Sequence, residues 1–301
     1  MKRVLHVGIT APTYSSEAIT KSFVDVFGEC VYFDWQAHRY NYGTEGMKKN
    51  LLKAASDKFD IIFLHLNNNS EVLSIDDYKE LSSLGFVISY TEDVRDDISH
   101  FENITPLIGL TIFTNIDDVE KLKDKGIFNA MYLPVSYNDQ WYKKLPKTQR
   151  YYGEIVFLGN NYVGTNLGFP KAQHRQDMIA VLKEKFGDRF QAYGNGQENI
   201  ALNPQQAIEC YNNAKIAIAH NNFDRNGYDS DRALNAMGCG CFTVPPTWKT
   251  FDDLITSCEV YLRNDTLRQA LADRQHEDAV KNETWFNRSL IIKAKIDTIN
   301  G

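Results

Sequence analysis

The chain has 301 residues but no long apolar run near its start, where the stretch after Lys2 and Arg3 stops at Gly8. A spanning helix needs about 20 apolar residues, so neither a membrane span nor a secretory leader is expected. Nor is it basic: a net charge of -6 argues against a broadly cationic nucleic-acid surface. Its five cysteines (Cys30, Cys210, Cys239, Cys241, Cys258) are odd in number and show no paired ligand spacing. Reduced thiols in a cytoplasmic protein follow, with Cys239 and Cys241 as buried structural residues. No Gly-x-Gly-x-x-Gly follows either opening strand and no Gly-Lys-Ser/Thr is present. This counts against a dinucleotide fingerprint and against a P-loop.

What is present is an alternation of short apolar runs and amphipathic stretches, the pattern of βα units around parallel sheets. In the first half strands are expected over residues 3–8, 30–35, 60–65, 86–90, 107–114 and 130–134. Helices are expected over 17–27, 44–56, 75–84 and 116–125. Ligands of such sheets sit beyond the carboxyl ends of the strands, which selects the segments 10–16, 65–69, 91–93 and 114–115. A polar stretch over 138–152 reads as a linker. A second α/β pattern then opens with the strand 154–159, continues through 174–186, 190–196, 204–214 and 215–220, and ends in a helical tail.

The stretch from Gly227 to Pro245 carries the most chemistry. Asp229, Ser230 and Asp231 are helix starters, since a short side-chain oxygen can take the unpaired first-turn amides. Arg232 follows where those amides and the helix dipole already favour an anion, and a guanidinium adds a grip suited to phosphate. Gly238 and Gly240 end the helix before an apolar strand over 241–244.

At these residues the chain resembles the donor site of GT-B glycosyltransferases. The likeness is to the CgeB-like (spore maturation protein-like) group, related to glycosyltransferase families 1 and 4, whose usual form is Arg-x-Phe-Glu-Ala-x-Ala-x-Gly. Arg232, Ala236 and Gly240 match, and Asn235 stands in place of the glutamate. In related retaining enzymes that glutamate meets the ribose or sugar hydroxyls of the donor. The strand 155–159, Arg175, Tyr193-Gly194, Ala214-Lys215 and Thr284-Trp-Phe-Asn-Arg288 follow the family's order. The resemblance implies an α/β fold of two Rossmann-like domains facing each other across a cleft. Residues 1–140 would be the acceptor side, 153–285 the nucleotide-sugar-binding domain, and 286–301 a terminal helix crossing back.

The activity implied is transfer of a sugar from a nucleotide-sugar co-substrate to a hydroxyl of a saccharide, glycoconjugate or protein, with no tightly bound cofactor. Donor-binding candidates are Gly159, Asn160, Tyr193, Gly194, Asn195, His220, Asn221, Ser230, Asp231, Arg232 and Asn235. They combine strand-tip amides, a stacking ring and the helix N-terminus. A general base is required for an inverting reaction, and Asp93, Glu92 and His65 are the candidates; a retaining reaction needs none. Asp229-x-Asp231 invites a divalent metal, but Arg232 and the helix dipole already supply positive charge there, so none is expected. Acceptor-side candidates are Thr10, Thr13, Tyr14, Ser15 and Arg39. Aromatics around Arg39 keep a second acceptor open, a hydroxymethylated base in DNA. A third reading, a nucleotide-sugar-binding protein without turnover, follows from Asn235.

Overall fold

Parallel strand pairing organises both halves of the chain in the computed structural model, which describes residues 1–10, 15–66, 72–94, 96–165 and 169–300. Thr13 and Tyr14, and residues 67–69 of the segment after the third strand, lie outside them. The chain divides into two compact units. The first comprises Met1–Val135, Arg225–Tyr228 and Trp285–Gly301, and the second Ser136–Asp224 and Asp229–Thr284.

In the first unit the strands are β1 (Lys2–Gly8), β2 (Gly28–Asp34), β3 (Ile61–His65), β4 (Phe86–Thr91), β5 (Leu110–Phe113) and β6 (Ala130–Tyr132). They form one parallel sheet in the order β2-β1-β3-β4-β5-β6. The order reverses at β1, so the switch point, where a crevice opens beyond the strand ends, lies between β1 and β3. The helices are α1 (Ser16–Phe27), α2 (Trp35–Ala55), α3 (Ile75–Leu84), α4 (Ser99–Ile104) and α5 (Ile116–Asp124). β3 is buried throughout, as the continuous run Ile-Ile-Phe-Leu-His requires for a central parallel strand.

The sheet separates two apolar layers. One holds Leu5, Ile62, Leu64 and Val87 against α2 and α3 residues such as Leu51 and Tyr78. The other holds Val4, Phe63, Ile88 and Tyr90 against Ile19 and Phe23 of α1, and against Trp285, Ile292 and Ile296. Those three belong to α11 (Trp285–Asn300). Arg288 fixes this helix by donating from Nε to the Pro134 carbonyl (2.9 Å) and from Nη2 to the Val135 carbonyl (3.0 Å).

The helix expected from residue 44 follows Gly43, and a further helical segment that was not expected precedes it from Trp35. Asp34 accepts from the Ala37 amide at 2.8 Å and the Trp35 indole is buried, so a cap and one anchor suffice to start it. Gly43, at φ 71° and ψ 176°, interrupts the helical path, making 35–42 a separate segment ahead of the main helix.

The second unit has β7 (Ile155–Leu158), β8 (Phe190–Tyr193), β9 (Ile216–Ile218) and β10 (Phe242–Val244), again parallel, in the order β10-β9-β7-β8. Its helices are α6 (Ala172–Phe186), α7 (Pro204–Asn213), α8 (Asp231–Gly238), α9 (Phe251–Arg263) and α10 (Asp265–Asn282). Here β7 is flanked by β8 and β9, so its switch point lies between β7 and β9. The cysteines are free, with Cys210, Cys239, Cys241 and Cys258 buried and burial pushing each thiol up. Among the described residues no helix is long and apolar enough to cross a membrane.

Trp285 is wholly buried and Phe286 beside it is 43% exposed. Trp285→Ala is expected to destabilise the protein by ~3–5 kcal/mol and Phe286→Ala by less than ~1 kcal/mol. Urea midpoints of the two variants would show it.

Candidate active site

The second unit assembles its polar loops at the β7/β9 switch point. After β7 the chain runs through Gly159 and Asn160, and after β8 through Gly194 and Asn195. The two loops are zipped together. Gly159 N–H donates to the Tyr193 carbonyl (2.8 Å), Asn161 N–H to the Asn195 carbonyl (2.9 Å) and Asn195 N–H to Asn160 Oδ1 (3.0 Å). A Cβ at Gly194 would lie 2.3 Å from the Gly159 carbonyl oxygen, so only glycine permits this approach.

Ser230 caps α8 and is itself held by Asn221, whose Oδ1 accepts from the Ser230 amide (3.0 Å) while its Nδ2 donates to Asp229 (3.2 Å). Arg232 Nη1 donates to Ser230 Oγ at 2.8 Å. The guanidinium lies against the β7 loop: a Cβ at Gly159 would stand 3.5 Å from Arg232 Nε. The structure therefore brings Gly159, Ser230 and Arg232 together at a helix N-terminus, the arrangement that holds an anion.

Three donor-binding candidates are occupied otherwise. Tyr193 donates its hydroxyl to the Tyr152 carbonyl (2.9 Å) and packs edge-on against that ring, so it braces the core below the loop. Asn235 is buried, its Oδ1 accepting from the Asn138 amide (3.3 Å) and its Nδ2 donating to Asp231 (3.1 Å). Both ends of that amide are engaged within the unit, and a carboxylate in its place would face Asp231. His220 is buried, with Nε2 at 3.0 Å from His174 Nδ1 and Nδ1 at 3.5 Å from Arg175 Nε. Burial, with Arg175 and His174 beside it, holds the imidazole down at about 3. A neutral ring with both nitrogens engaged supports the loop from within and is not offered to a ligand.

Arg175 was noted in sequence only for its place in a motif order, yet it is fully buried. Its Nη1 donates to the Asn160 carbonyl and its Nη2 to the His220 carbonyl, each at 3.2 Å. It ties the loop after β7 to the loop after β9.

In the first unit, register pairs His65 with Tyr90. Glu92, two residues beyond, reaches back so that its Oε2 is 3.3 Å from His65 Nε2 and its Oε1 accepts from the Tyr90 hydroxyl at 3.4 Å. Two of the three base candidates thus form one pair at the carboxyl edge of the sheet. Asp93 is half-buried in the same loop, its amide donating to Thr91 Oγ1 (3.3 Å). It does not cap a helix, since α4 starts at Ser99. Of the acceptor-side candidates, Thr10 donates its amide to Asp34 (3.1 Å), Ser15 is buried just before α1, and Arg39 is exposed on the 35–42 segment.

With this geometry in view, comparison with known proteins gives a consistent answer. The family described as glycosyl transferase-like matches residues 174–292. No curated protein matches the chain. Among solved structures, a glycosyltransferase from Rickettsia africae is similar at 10% identity and a TM-score of 0.59, covering 98% of each chain. The DNA-modifying enzyme β-glucosyltransferase, solved with and without uridine diphosphoglucose, is similar at 11% identity and a TM-score of 0.61 over 98% of this chain and 99% of that one. A UDP-forming α,α-trehalose-phosphate synthase from Burkholderia xenovorans gives 8% identity and 0.56 over 99% and 100%. The chain has the α/β fold with parallel sheets of GT-B glycosyltransferases.

His220 also gives a pH signature. Its folded value lies below the ordinary 6.5, so the unfolded chain takes up a proton first and stability falls as pH drops from 6.5 toward 3. His220→Asn should flatten that slope by about one proton, ~1 kcal/mol per pH unit, in denaturant titrations across the window. Gly194→Ala should cost ~1–3 kcal/mol and loosen the paired loops, seen as faster amide exchange at Gly159 and Asn161.

Proposed function

We propose that the chain is a glycosyltransferase that moves a sugar from a nucleotide-sugar to an acceptor hydroxyl. The observation that carries this is the convergence of Gly159, the capped N-terminus of α8 and Arg232 at the second sheet's switch point. As the bond between the sugar's anomeric carbon and the diphosphate breaks, negative charge grows on the leaving oxygen. A guanidinium and first-turn amides fixed beforehand stabilise it without reorganising. That positive charge also supports metal-independent transfer. Asn160, Asn195, Asn221 and Asp231 supply amides and side-chain oxygens around it. The order in which the motifs from the 155–159 strand to Arg288 occur supports placement in the CgeB-like group.

From the first unit, His65 is the base and Glu92 its orienting partner, with Asp93 the alternate. The acceptor hydroxyl gives its proton to the imidazole as its oxygen bonds the anomeric carbon and the nucleoside diphosphate departs. This is the arrangement of an inverting reaction. A cytoplasmic setting accords with the free cysteines.

A second acceptor reading, a modified base in DNA, is favoured by Tyr40 and Tyr42, 91% and 62% exposed beside Arg39. Such rings stack on a base drawn out of the helix, and the solved β-glucosyltransferase modifies DNA. Steep salt dependence of binding to hydroxymethylated DNA would favour it. The reading without turnover predicts donor binding with no transfer and no donor hydrolysis.

In a thermal-shift screen of nucleotide-sugars and nucleoside diphosphates, one nucleotide family should raise the melting temperature, by ~2.7 kcal/mol of added stability at 100 times its dissociation constant. Arg232→Ala should abolish the shift, and a shift that survives it would sink this donor site. His65→Gln should lower turnover roughly 10²–10⁴-fold while leaving the donor-induced shift unchanged.

A further inference from the structure

Four residues of the chain belong to a different unit from their neighbours. Arg225–Tyr228 group with the first unit, although Asp224 before them and Asp229 after them group with the second. Their backbone is gripped by α5 and β6. The Ile116 amide donates to the Asn226 carbonyl (2.8 Å), the Asn226 amide to Asp117 Oδ2 (3.1 Å), and the Tyr132 hydroxyl to the Gly227 carbonyl (2.7 Å). Arg225 Nη2 donates to Asp96 Oδ1 at 2.7 Å. The Ile116 amide is a first-turn donor of α5, which has no partner inside its own helix, so the grip satisfies that helix as well. Within the turn, Tyr228 N–H donates to the Arg225 carbonyl (3.1 Å). Gly227 sits at φ 76°, and a Cβ there would stand 3.0 Å from Cζ and the hydroxyl oxygen of Tyr132. Glycine is therefore required twice, by the backbone and by the phenol.

This strap has no slack at either root. On the β9 side Lys171 N–H donates to the Asn222 carbonyl (3.1 Å) and Lys171 Nζ meets Asp224 at 3.2 Å. On the α8 side Asp229 alone separates Tyr228 from Ser230, and consecutive Cα atoms are only about 3.8 Å apart. The Asn221 side chain holds both Asp229 (3.2 Å) and the Ser230 amide (3.0 Å), closing the strap at its base. Ser230 is the cap of α8 and the partner of Arg232 Nη1. A displacement of Tyr228 therefore reaches the cap across a single residue.

An anion site at a helix N-terminus works by being fixed before the charge develops. Its donors need holding to within about 0.5 Å of the productive geometry by groups behind them. Arg232 bonds a hydroxyl whose backbone runs directly into the strap, so the groups that grip the strap stand behind the guanidinium. We propose that Asp117 and Tyr132 are positioning residues for Arg232, acting through the Asn226–Gly227 turn, so that α5 and β6 set the geometry in which α8 meets a nucleoside diphosphate. The assignment rests on the glycosyl-transfer reading and adds to it residues that act without touching the donor. Linkage makes the effect reciprocal: a diphosphate that orders the α8 cap tightens the hold on the strap by the same factor.

The test combines amide exchange of the full-length protein without ligand and its titration with UDP, GDP, ADP, CDP and dTDP. Tyr132→Phe removes one hydroxyl and keeps the ring. Asp117→Ala removes the acceptor of the Asn226 amide, and Asp117→Asn keeps an oxygen there. The control is Tyr151→Phe, which removes an exposed hydroxyl bonded to the Asp188 carbonyl (3.2 Å) in the second unit. Without ligand, Tyr132→Phe and Asp117→Ala should speed exchange at the Ser230, Arg232 and Ala233 amides, while Asp117→Asn and the control should leave it near wild type. The dissociation constant of the diphosphate that binds should rise roughly two- to tenfold in the first two variants, the effect of one neutral hydrogen bond, with the same rescue. Gly227→Ala should act in the same direction and more strongly. Unchanged exchange at the cap, unchanged affinity in a protein that binds, or an equal effect of Tyr151→Phe would overturn the proposal. Failure of every diphosphate to bind the wild type removes the transferase reading instead, and exchange in the unliganded variants still decides whether the strap holds the α8 cap.

Discussion

The second unit depends on one buried cation. Arg175 is removed from water completely, and an ionised group there is tolerable only if every donor finds an acceptor. It finds them in the carbonyls of Asn160 and His220, each the second residue beyond one of two adjacent strands, and its Cζ lies over the Phe157 ring at 5.3 Å. Spending the guanidinium on backbone carbonyls fixes the two loops that frame the switch point. Burial first, and that charge second, lower the affinity of His220 for a proton. The position of both loops is thus fixed by one side chain that need not touch a ligand.

That arrangement explains how Arg232 can be the exposed counterpart. With Arg175 confined beneath the loops, Arg232 is half-buried above them, held by Ser230 and leaning on the backbone of Gly159. A guanidinium fixed by a neutral hydroxyl keeps its charge available, which one matched to a carboxylate does not. Asp231, the nearest carboxylate in sequence, is turned to the Asn235 amide. Asparagine at 235 therefore has a physical reason within this chain: it orients Asp231, where a glutamate would set two carboxylates against each other.

Much of this was legible in the sequence. The alternating pattern gave both parallel sheets; α3 matches its expected bounds, and the apolar strand feeding Gly159 is where the pattern put it. The helical segment 35–42 ahead of Gly43 was not legible, because His38 to Tyr42 has no helical apolar period and only the Asp34 cap and the burial of Trp35 reveal it. His220 was legible as a strand-tip residue, but its engagement by His174, 46 residues earlier, is a tertiary fact. His6 was passed over as part of an apolar strand. The signal was there, since alternation puts it on the same face as Val4, where an unpartnered imidazole is costly.

The two units handle polarity in opposite ways, and this follows from what each would have to bind. A diphosphate carries charge that must be matched by charge, so the second unit exposes a guanidinium and helix amides at its switch point. A sugar hydroxyl is neutral, and a cation facing it would hold water more tightly than the ligand. The first unit instead places imidazoles, a serine and a phenol near its switch point, with the Glu92 carboxylate beside the His65 ring and the Asp34 carboxylate at the Thr10 amide. Under the proposed transfer, the difference between the two strand edges is the one between a leaving group and a nucleophile.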